Sequence, residues 1–336
     1  GLLALPEKMI SHNMTWIKYP SKDFIEIEDI IRSQNIISRF MHIYIALFVP
    51  TSLVAGTFNL TTFIKRHTRL EKLDLYLLDL TMTNLLVTLF SFTAITRPDY
   101  IPTTNLGCGV LSFFFNICYF NAQYIQIAML YTFLFQDYLP CLRVVTLIKK
   151  PLGNLSLVFA CAFSSSLGGV MLLGIAGSLL KSTLCQVDPL TAWPEYEIVK
   201  FSLGFGVTLI IEVVFFTLII GKLVRRATHP QKDNRPIYLV MLTITLIMFA
   251  CRLFYNIMLL NRSRLKLQRD NGSPRDELIM NIAELVLFGE SWASNLAILF
   301  LYKPCKLSLK KSLQNLTKQC RREEETHSSM PLERRI

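Results

Sequence analysis

Seven long stretches of predominantly apolar residues follow one another along the chain, separated by short polar connections. About 20 apolar residues in an α-helix are needed to cross the hydrocarbon core of a membrane. Each stretch reaches that length, so the pattern predicts an all-α fold in which seven transmembrane helices form a bundle. The seven stretches lie near residues 40–64, 73–96, 107–135, 155–180, 198–223, 237–260 and 278–302.

The composition agrees with a membrane protein and argues against several other classes. Hydrophobic residues make up 52% of the 336 residues and the mean hydropathy is +0.40, which leaves too few polar residues to coat a soluble protein. The chain has no Cys/His spacing suited to zinc, and it has none of the common nucleotide-binding or hydrolase signatures. We therefore predict that it is not an enzyme and that it holds no metal and no other cofactor.

The positive charges are distributed unevenly between alternate connections. The net charge is +11, but most Lys and Arg residues flank the apolar stretches, so we predict no nucleic-acid partner. Of the 35 Lys and Arg residues, 21 fall on the side that contains the tail from Lys303 onwards, and 13 fall on the other side. Because cytoplasmic connections carry the excess of positive charge, we predict an amino terminus outside and a tail inside.

These features divide the chain into four predicted parts. Residues 1–35 form an extracellular segment, in which an Asn-Met-Thr sequon predicts glycosylation of Asn13. Residues 36–303 form the seven-transmembrane domain, and residues 304–320 form a short amphipathic eighth helix at the membrane surface. Residues 321–336 are polar and charged, and we predict that they form a disordered cytoplasmic tail.

The predicted eighth helix has an apolar side and a cationic side. Leu309, Leu313 and Leu316 share one face by helical spacing, and lysines lie beside them. This arrangement predicts contact with membrane lipids, the lysines facing anionic head groups. Cys305 and Cys320 lie next to the membrane, where palmitoylation occurs; unmodified free cysteines are the alternative.

Polar residues at helical spacing mark one face of several predicted helices. A polar side chain at membrane depth is costly, so these faces should turn towards the interior of the bundle and form a polar axis. We predict a pocket for an extracellular ligand at this axis. Its predicted lining residues are Tyr119, Gln123, Arg252, Tyr255, Asn281 and Glu284.

The charged residues inside the apolar stretches need partners. Counted from the predicted helix ends, Arg252 and Glu284 lie at similar depths, and we predict an ion pair between them that acts as a structural lock or as a ligand contact. Glu212 and Glu290 lie near the middle of the membrane. We favour a neutral, structural role for both; an acidic cavity for a cationic ligand group is the alternative.

Several motifs resemble those of the rhodopsin-like (class A) G-protein-coupled receptors, and the resemblance covers most of the chain. Asn59 stands where that family has its first-helix Asn, and the run from Asp74 to Leu85 is similar to N-x-F-L-x-N-L-A-x-x-D-L. This alignment puts Asn84 at the sodium-site Asp of the family. In the sixth stretch, Arg252 takes the place of the Trp in C-W-x-P-Y.

The resemblance implies two features of the bundle interior and its extracellular end. One is a disulfide bond between Cys108 and Cys185, the positions that look like the family's conserved pair. The other is a polar core formed by Asn59, Asn84 and Asn295, similar to the family's sodium site. The Asp of that site is an Asn here, so the departure counts against conventional sodium binding.

At the inner end of the third helix, Gln136-Asp137-Tyr138 takes the place of the family's Asp-Arg-Tyr motif. The resemblance implies that these three residues face a heterotrimeric G protein or an arrestin at the plasma membrane. Only the Tyr is retained, and Asp137 replaces the arginine that engages the G protein in the family. The chain is therefore identified as a divergent, orphan-like member of that superfamily.

The leading functional prediction is an integral plasma-membrane receptor that transduces an extracellular ligand of unknown class to cytoplasmic partners. A decoy or non-coupling seven-helix protein is one alternative, favoured by Asp137. A small transporter or channel is the other, with a path along the buried charges. The absence of internal repeats and the odd number of spans count against a transporter.

Overall fold

The computed structural model describes residues 24–96, 101–135, 150–183, 185–189, 192–227, 235–269 and 272–328. Two of the predicted features, glycosylation of Asn13 and the Gln136-Asp137-Tyr138 motif, lie outside the described residues and stay predictions.

The described residues fold almost entirely into eight helices, numbered α1 to α8. α1 consists of Phe24–Ile43, a π-helical turn at Tyr44–Phe48, and Val49–Lys65. α5 consists of Pro194–Phe201, a π-helical turn at Ser202–Gly206, and Val207–Ala227. The remaining helices are α2 (Lys72–Leu89), α3 (Asn105–Phe135), α4 (Pro151–Met171), α6 (Arg235–Leu267), α7 (Pro274–Leu301) and α8 (Lys303–Ser328).

The other regular elements are short. 3-10 turns at His67–Arg69 and Phe90–Phe92 follow α1 and α2. Strands β1 (Thr103–Thr104) and β2 (Ser182–Thr183) pair antiparallel next to the start of α3. The all-α prediction is confirmed.

Six of the helices (α1, α2, α4, α5, α6 and α7) are long and apolar enough to cross a membrane, consistent with a multi-pass membrane protein. α3 is 31 residues long and carries several buried amide side chains. It packs against α2, α4, α5 and α6, so these amides meet other helices. They belong to Asn116, Asn121, Gln123 and Gln126.

Contacts between α1 and α7 give their relative direction. The ring centroids of Phe48 and Trp292 lie 4.6 Å apart, and those of Phe63 and Tyr302, the residue directly after α7, lie 5.9 Å apart. Residue numbers therefore rise together along the two helices. The first residue of α1 and the last residue of α7 therefore lie at opposite ends. We name the end at which α3 begins the disulfide end and the end at which α8 begins the α8 end.

The bounds of α1 and α4 differ from the prediction. α1 begins at Phe24, well inside the segment 1–35 that was predicted to be extracellular. α4 ends at Met171 instead of near residue 180. Gly174 follows with a φ of 68°, in the left-handed region that favours glycine, and this turn redirects the chain.

The connection between α6 and α7 is shorter than predicted. α6 continues to Leu267 instead of ending near residue 260, and α7 begins at Pro274. Ser273 and Asp276 form a capping box around the first turn of α7, and Pro274 occupies a first-turn position in which its missing N–H costs nothing. Both helices therefore gain about one turn or more at this end.

α8 also extends beyond its predicted range. It continues to Ser328, so residues 321–328 are helical where a disordered tail was predicted. Leu309 and Leu313 line a groove beside Phe300 at the end of α7, and Lys306 and Lys310 border it. This agrees with the amphipathic pattern of the sequence.

The two cysteines of this region have different environments. Cys305 is fully buried, at 0% exposure, in the apolar cluster between α7, α8 and α1, so the prediction that it is palmitoylated does not fit its burial. Burial also raises the pKa of its thiol to about 12, which makes it a poor nucleophile. Cys320 is exposed, and its palmitoylation stays a prediction.

Candidate functional site

At the disulfide end, the segment 185–189 between β2 and α5 folds into the helix bundle. Cys185 is joined to Cys108 at the start of α3 by a disulfide bond, as the family resemblance implied. The hydroxyl of Ser112, one turn further along α3, donates to the carbonyl oxygen of Val187 at 3.0 Å. These two attachments place Asp188 between the helices.

Asp188 is fully buried and accepts three hydrogen bonds from side chains. Its Oδ1 atom accepts from Lys200 Nζ at 2.7 Å and from the Tyr196 hydroxyl at 2.8 Å. Its Oδ2 atom accepts from the hydroxyl of Tyr255 on α6. The carboxylate therefore holds α5 and α6 to the loop.

The ionisation of Asp188 follows from these partners. Burial raises the pKa of the carboxyl, but the Lys200 ammonium and the three hydrogen bonds lower it further than burial raises it, so the pKa lies below its ordinary range. Asp188 is thus a carboxylate throughout the physiological pH range.

Lys200 reaches into the bundle from the first segment of α5 and is 2% exposed. Besides Asp188, its ammonium meets four aromatic rings, which surround it from α3, α5 and α6. The distances from Nζ to the ring centroids are 5.0 Å for Tyr119, 5.3 Å for Tyr255, 5.8 Å for Tyr196 and 5.9 Å for Phe115. Each is within range of a cation–π interaction.

Two further ion pairs lie closer to the disulfide end. Arg262 on α6 donates to both carboxylate oxygens of Glu277 on α7, at 2.9 and 3.0 Å, and to the main-chain oxygen of Asp188 at 2.8 Å. Lys266, one turn further along α6, pairs with Glu197 on α5. Together they join α5, α6 and α7 around the inserted loop.

A separate ion pair lies deeper in the bundle. Arg252 on α6, 2% exposed, donates from Nε and Nη2 to the two carboxylate oxygens of Glu290 on α7, at 2.8 and 2.9 Å. Its Nη1 atom donates to the main-chain oxygen of Tyr119 at 2.9 Å, and its guanidinium carbon lies 4.2 Å from the Tyr119 ring centroid. The predicted pair of Arg252 with Glu284 is therefore wrong, and so is the neutral role predicted for Glu290.

Glu212 takes part in a chain of polar contacts that crosses the bundle. Gln123 donates to Glu212 on α5 and, at 3.4 Å, to Gln126 on its own helix. Gln126 donates in turn to Thr245 on α6 at 2.7 Å. These contacts tie α3 to α5 and α6 next to the Arg252 pair.

All six predicted pocket residues are buried. Four of them are occupied by partners within the chain: Tyr119, Gln123, Arg252 and Tyr255. Glu284 forms no hydrogen bond with the residues that the structure describes, and the Asn281 Nδ2 atom, one turn away on the same face of α7, has no partner there either. The predicted pocket region is thus largely filled by side chains of the protein itself.

The predicted polar core does come together. Asn59 donates to the main-chain oxygen of Asn295 at 2.9 Å, and Asn84 donates to its side-chain oxygen at 3.4 Å. Asn295 donates in turn to the hydroxyl of Ser52 at 3.2 Å. The core joins α1, α2 and α7 through neutral groups, and no cluster of potential metal ligands occurs in the described part of the chain.

A further contact fastens the α8 end. The hydroxyl of Tyr302, between α7 and α8, donates to the buried carboxylate of Asp74 on α2. The other oxygen of that carboxylate accepts from the main-chain N–H of Glu71 at 2.9 Å and caps α2. Burial and the neighbouring Asp74 carboxylate raise the pKa of Tyr302, so its hydroxyl stays protonated and donates.

Sequence reasoning missed Asp188 and Lys200, the two central residues at the disulfide end. Lys200 counted only as a cation at a helix end, and Asp188 lies in a connection without periodicity. A signal was present for Lys200, since Tyr196 precedes it by one helical turn and the spacing puts both on one face. No comparable pattern marks Asp188.

Replacement of Asp188 by Asn should lower the free energy of unfolding at pH 7 by about 1.5–3 kcal/mol, the usual contribution of hydrogen bonds to a charged group. Because the folded-state pKa of Asp188 is depressed, its contribution is complete above about pH 4 and is lost as the pH falls through the folded pKa. Melting temperatures of the solubilised protein between pH 3 and pH 7 measure both effects.

The wild-type melting temperature should fall below about pH 4 more steeply than that of Asp188→Asn. Asp29→Asn removes an exposed carboxylate from α1 and serves as the control, which should keep the steep acid transition. Parallel pH profiles for wild type and Asp188→Asn would contradict the prediction.

Comparison with known proteins adds no assignment to this geometry. No protein-family model matches the chain, and no curated protein matches it in sequence.

Proposed function

We propose that the chain is a seven-transmembrane receptor of the plasma membrane, resembling the class A G-protein-coupled receptors, which passes a signal from its extracellular disulfide end to partners at its cytoplasmic α8 end. α1 to α7 cross the membrane in this proposal, and α8 lies on the inner surface. α3 crosses as the central helix, since its buried amides face other helices.

The observation that carries the proposal is the Arg252–Glu290 pair. Charged residues at membrane depth are costly, and they mark functional sites by default. This pair lies between the Asp188 contacts and the Asn59–Asn295 core, and its guanidinium stacks on Tyr119, whose ring also lies against Lys200. These side-chain contacts therefore connect a conformational change at the disulfide end to the centre of the bundle.

The connectivity supports the same topology. If α1 to α7 all cross the membrane, five spans lie between α1 and α7, so these two helices should run in the same direction. Their aromatic contacts agree with this. The disulfide bond belongs to the oxidising, extracellular side. The lysines of α8 agree with a position on the anionic cytoplasmic leaflet.

The orientation is tested with epitope tags at the two ends of the chain. We expect the amino-terminal tag to be stained on intact cells and the carboxy-terminal tag to be stained only after permeabilisation. The reverse pattern, or staining of both tags on intact cells, would contradict the proposed topology.

Signalling is tested by measuring cAMP, calcium and arrestin recruitment in cells that express the wild-type chain, an Asp137→Arg variant or an empty vector, at matched surface levels. We expect the wild-type chain to change at least one readout in proportion to its surface level. Asp137→Arg should increase the change, because it restores the residue that engages the G protein in the resembled family.

Two outcomes would replace the proposal. A response from Asp137→Arg alone would identify a decoy or non-coupling protein. No response from either chain, together with ion or solute flux across liposomes that contain the purified protein, would identify a transporter or channel.

A further inference from the structure

The side chain of Lys200 occupies a closed site at the disulfide end. Its ammonium donates to Asp188 Oδ1 at 2.7 Å and lies between 5.0 and 5.9 Å from the centroids of four rings. We name these rings, from Phe115, Tyr119, Tyr196 and Tyr255, together with the Asp188 carboxylate, the ammonium cage. Three helices and the disulfide-bonded loop contribute to it.

The chemistry of the cage is specific for a cation with an apolar stem. Aromatic faces attract a desolvated ammonium through the negative potential of the ring, and the carboxylate supplies the counter-charge. A neutral side chain in the same place would leave Asp188 buried without its cation. The four rings also exclude water, which strengthens the attraction between the two charges.

A second carboxyl group, that of Glu284, is buried close to the cage. Glu284 on α7 is buried, interacts electrostatically with Lys200, and forms no hydrogen bond with the described residues. Arg262 is already held by Glu277 through both carboxylate oxygens. The Asp188 carboxylate is therefore the counter-charge for any cation that occupies the cage, whichever molecule carries it.

We infer that the ammonium cage is a binding site for a primary alkylammonium group, which the protein fills with its own Lys200 side chain. The expected ligand class is a short, unbranched alkylamine in its protonated form. Lys200 enters from α5, so its three outermost methylenes and ammonium match n-propylammonium once the side chain is cut back to Ala.

A consequence for signalling rests on the proposed function. With Lys200 in place, an extracellular amine finds the cage occupied, and the bundle is held by a ligand that is covalently part of it. The receptor would then signal, or remain silent, according to the position of Lys200 and not according to the concentration of an external amine.

The test uses the full chain with Lys200→Ala, purified in lipid nanodiscs, and n-propylammonium chloride as the probe. We expect Lys200→Ala to melt at a lower temperature than wild type. Added n-propylammonium should raise its melting temperature saturably and recover at least half of the loss, because a ligand that binds only the folded state stabilises it.

Three matched controls define specificity. The wild-type protein should not respond to n-propylammonium, because its cage is full. Lys266→Ala loses a lysine that also pairs with a buried carboxylate, Glu197, but outside the cage, and it should not be rescued. 1-Propanol, the neutral analogue of the probe, should not stabilise Lys200→Ala.

The inference is overturned if n-propylammonium stabilises Lys200→Ala no more than 1-propanol does, or if it stabilises the wild type equally. If Lys200→Ala is too unstable to purify, its surface level is measured in cells grown with and without n-propylammonium. A rise confined to Lys200→Ala supports the cage, and an unchanged level overturns it.

These binding measurements are independent of the signalling assays. Rescue by n-propylammonium in a protein that gives no cellular response would support the ammonium cage as a binding site and contradict the proposed receptor function. A cellular response from a protein whose Lys200→Ala variant is not stabilised by n-propylammonium would support the receptor function and overturn the ammonium cage as a binding site.

Discussion

Replacement of Arg252 by Met is expected to lower the free energy of unfolding by about 3–5 kcal/mol, because it leaves Glu290 as an uncompensated charge in the bundle interior. In the wild-type protein the guanidinium holds both oxygens of that carboxylate. Met keeps a long apolar side chain at the site, so lost charge pairing outweighs lost packing. The melting temperature in lipid nanodiscs provides the measurement.

Two further variants make this result specific to the pair. The double variant Arg252→Met/Glu290→Leu should regain most of the loss, because apolar replacement of both members of a buried ion pair is often neutral or stabilising. Arg264→Met removes an exposed arginine from the same helix and should change stability by no more than about 0.5 kcal/mol. Equal melting temperatures for Arg252→Met and Arg264→Met would contradict the prediction.

Removal of the disulfide bond by Cys108→Ser/Cys185→Ser should cost about 4 kcal/mol, the order expected when a cross-link between residues 77 positions apart no longer restricts the unfolded chain. The loop that carries Asp188 would also lose its attachment to α3. We therefore expect the double variant to lose part of its response to Asp188→Asn, since the carboxylate would be less firmly held in the folded protein.

Cys161→Ser is the matched control, because Cys161 is a free, exposed cysteine. It should leave the melting temperature unchanged. The coupling is measured with a double-mutant cycle that compares the effect of Asp188→Asn with and without the disulfide bond. Full additivity would show that the loop keeps its position without the cross-link and would contradict the proposed role of the disulfide in placing Asp188.

Amphipathic periodicity made much of the fold predictable. The helices lie close to the predicted stretches, and the polar faces of α3, α6 and α7 turn inwards as the cost of burying polar groups in lipid requires. Gln123 and Arg252 are examples: each is a polar residue in an apolar stretch, and each is buried. Helical spacing carries this information because it requires only local geometry.

The partner of Arg252 was not predictable from the same pattern, because depth was counted from helix ends that the sequence placed wrongly. Arg252 lies 15 residues before the end of α6 at Leu267, and Glu290 lies 16 residues after the start of α7 at Pro274, so the two stand at similar depth. The predicted connection from 261 to 277 was too long. That error shifted the expected partner to Glu284.

The ammonium cage depends on contacts that no local pattern encodes. Asp188 takes part in it because a disulfide-bonded loop folds into the bundle. Lys200 takes part because the first segment of α5 directs its side chain, like that of Tyr196, towards Asp188. A lysine at a helix end is ordinarily a topology signal. Tertiary packing therefore decided what the sequence left ambiguous at both positions.

Two of the four arginines of α6 restrict how this helix can move. Arg252 and Arg262 each form an ion pair with a glutamate of α7. They lie ten residues apart, which is about 15 Å along the helix. Two ion pairs on one helix restrict its sliding along α7 and its movement away from α7 near the disulfide end. A large displacement of α6 is therefore expected at its opposite end, near Arg235, as a rotation of the helix about Arg252.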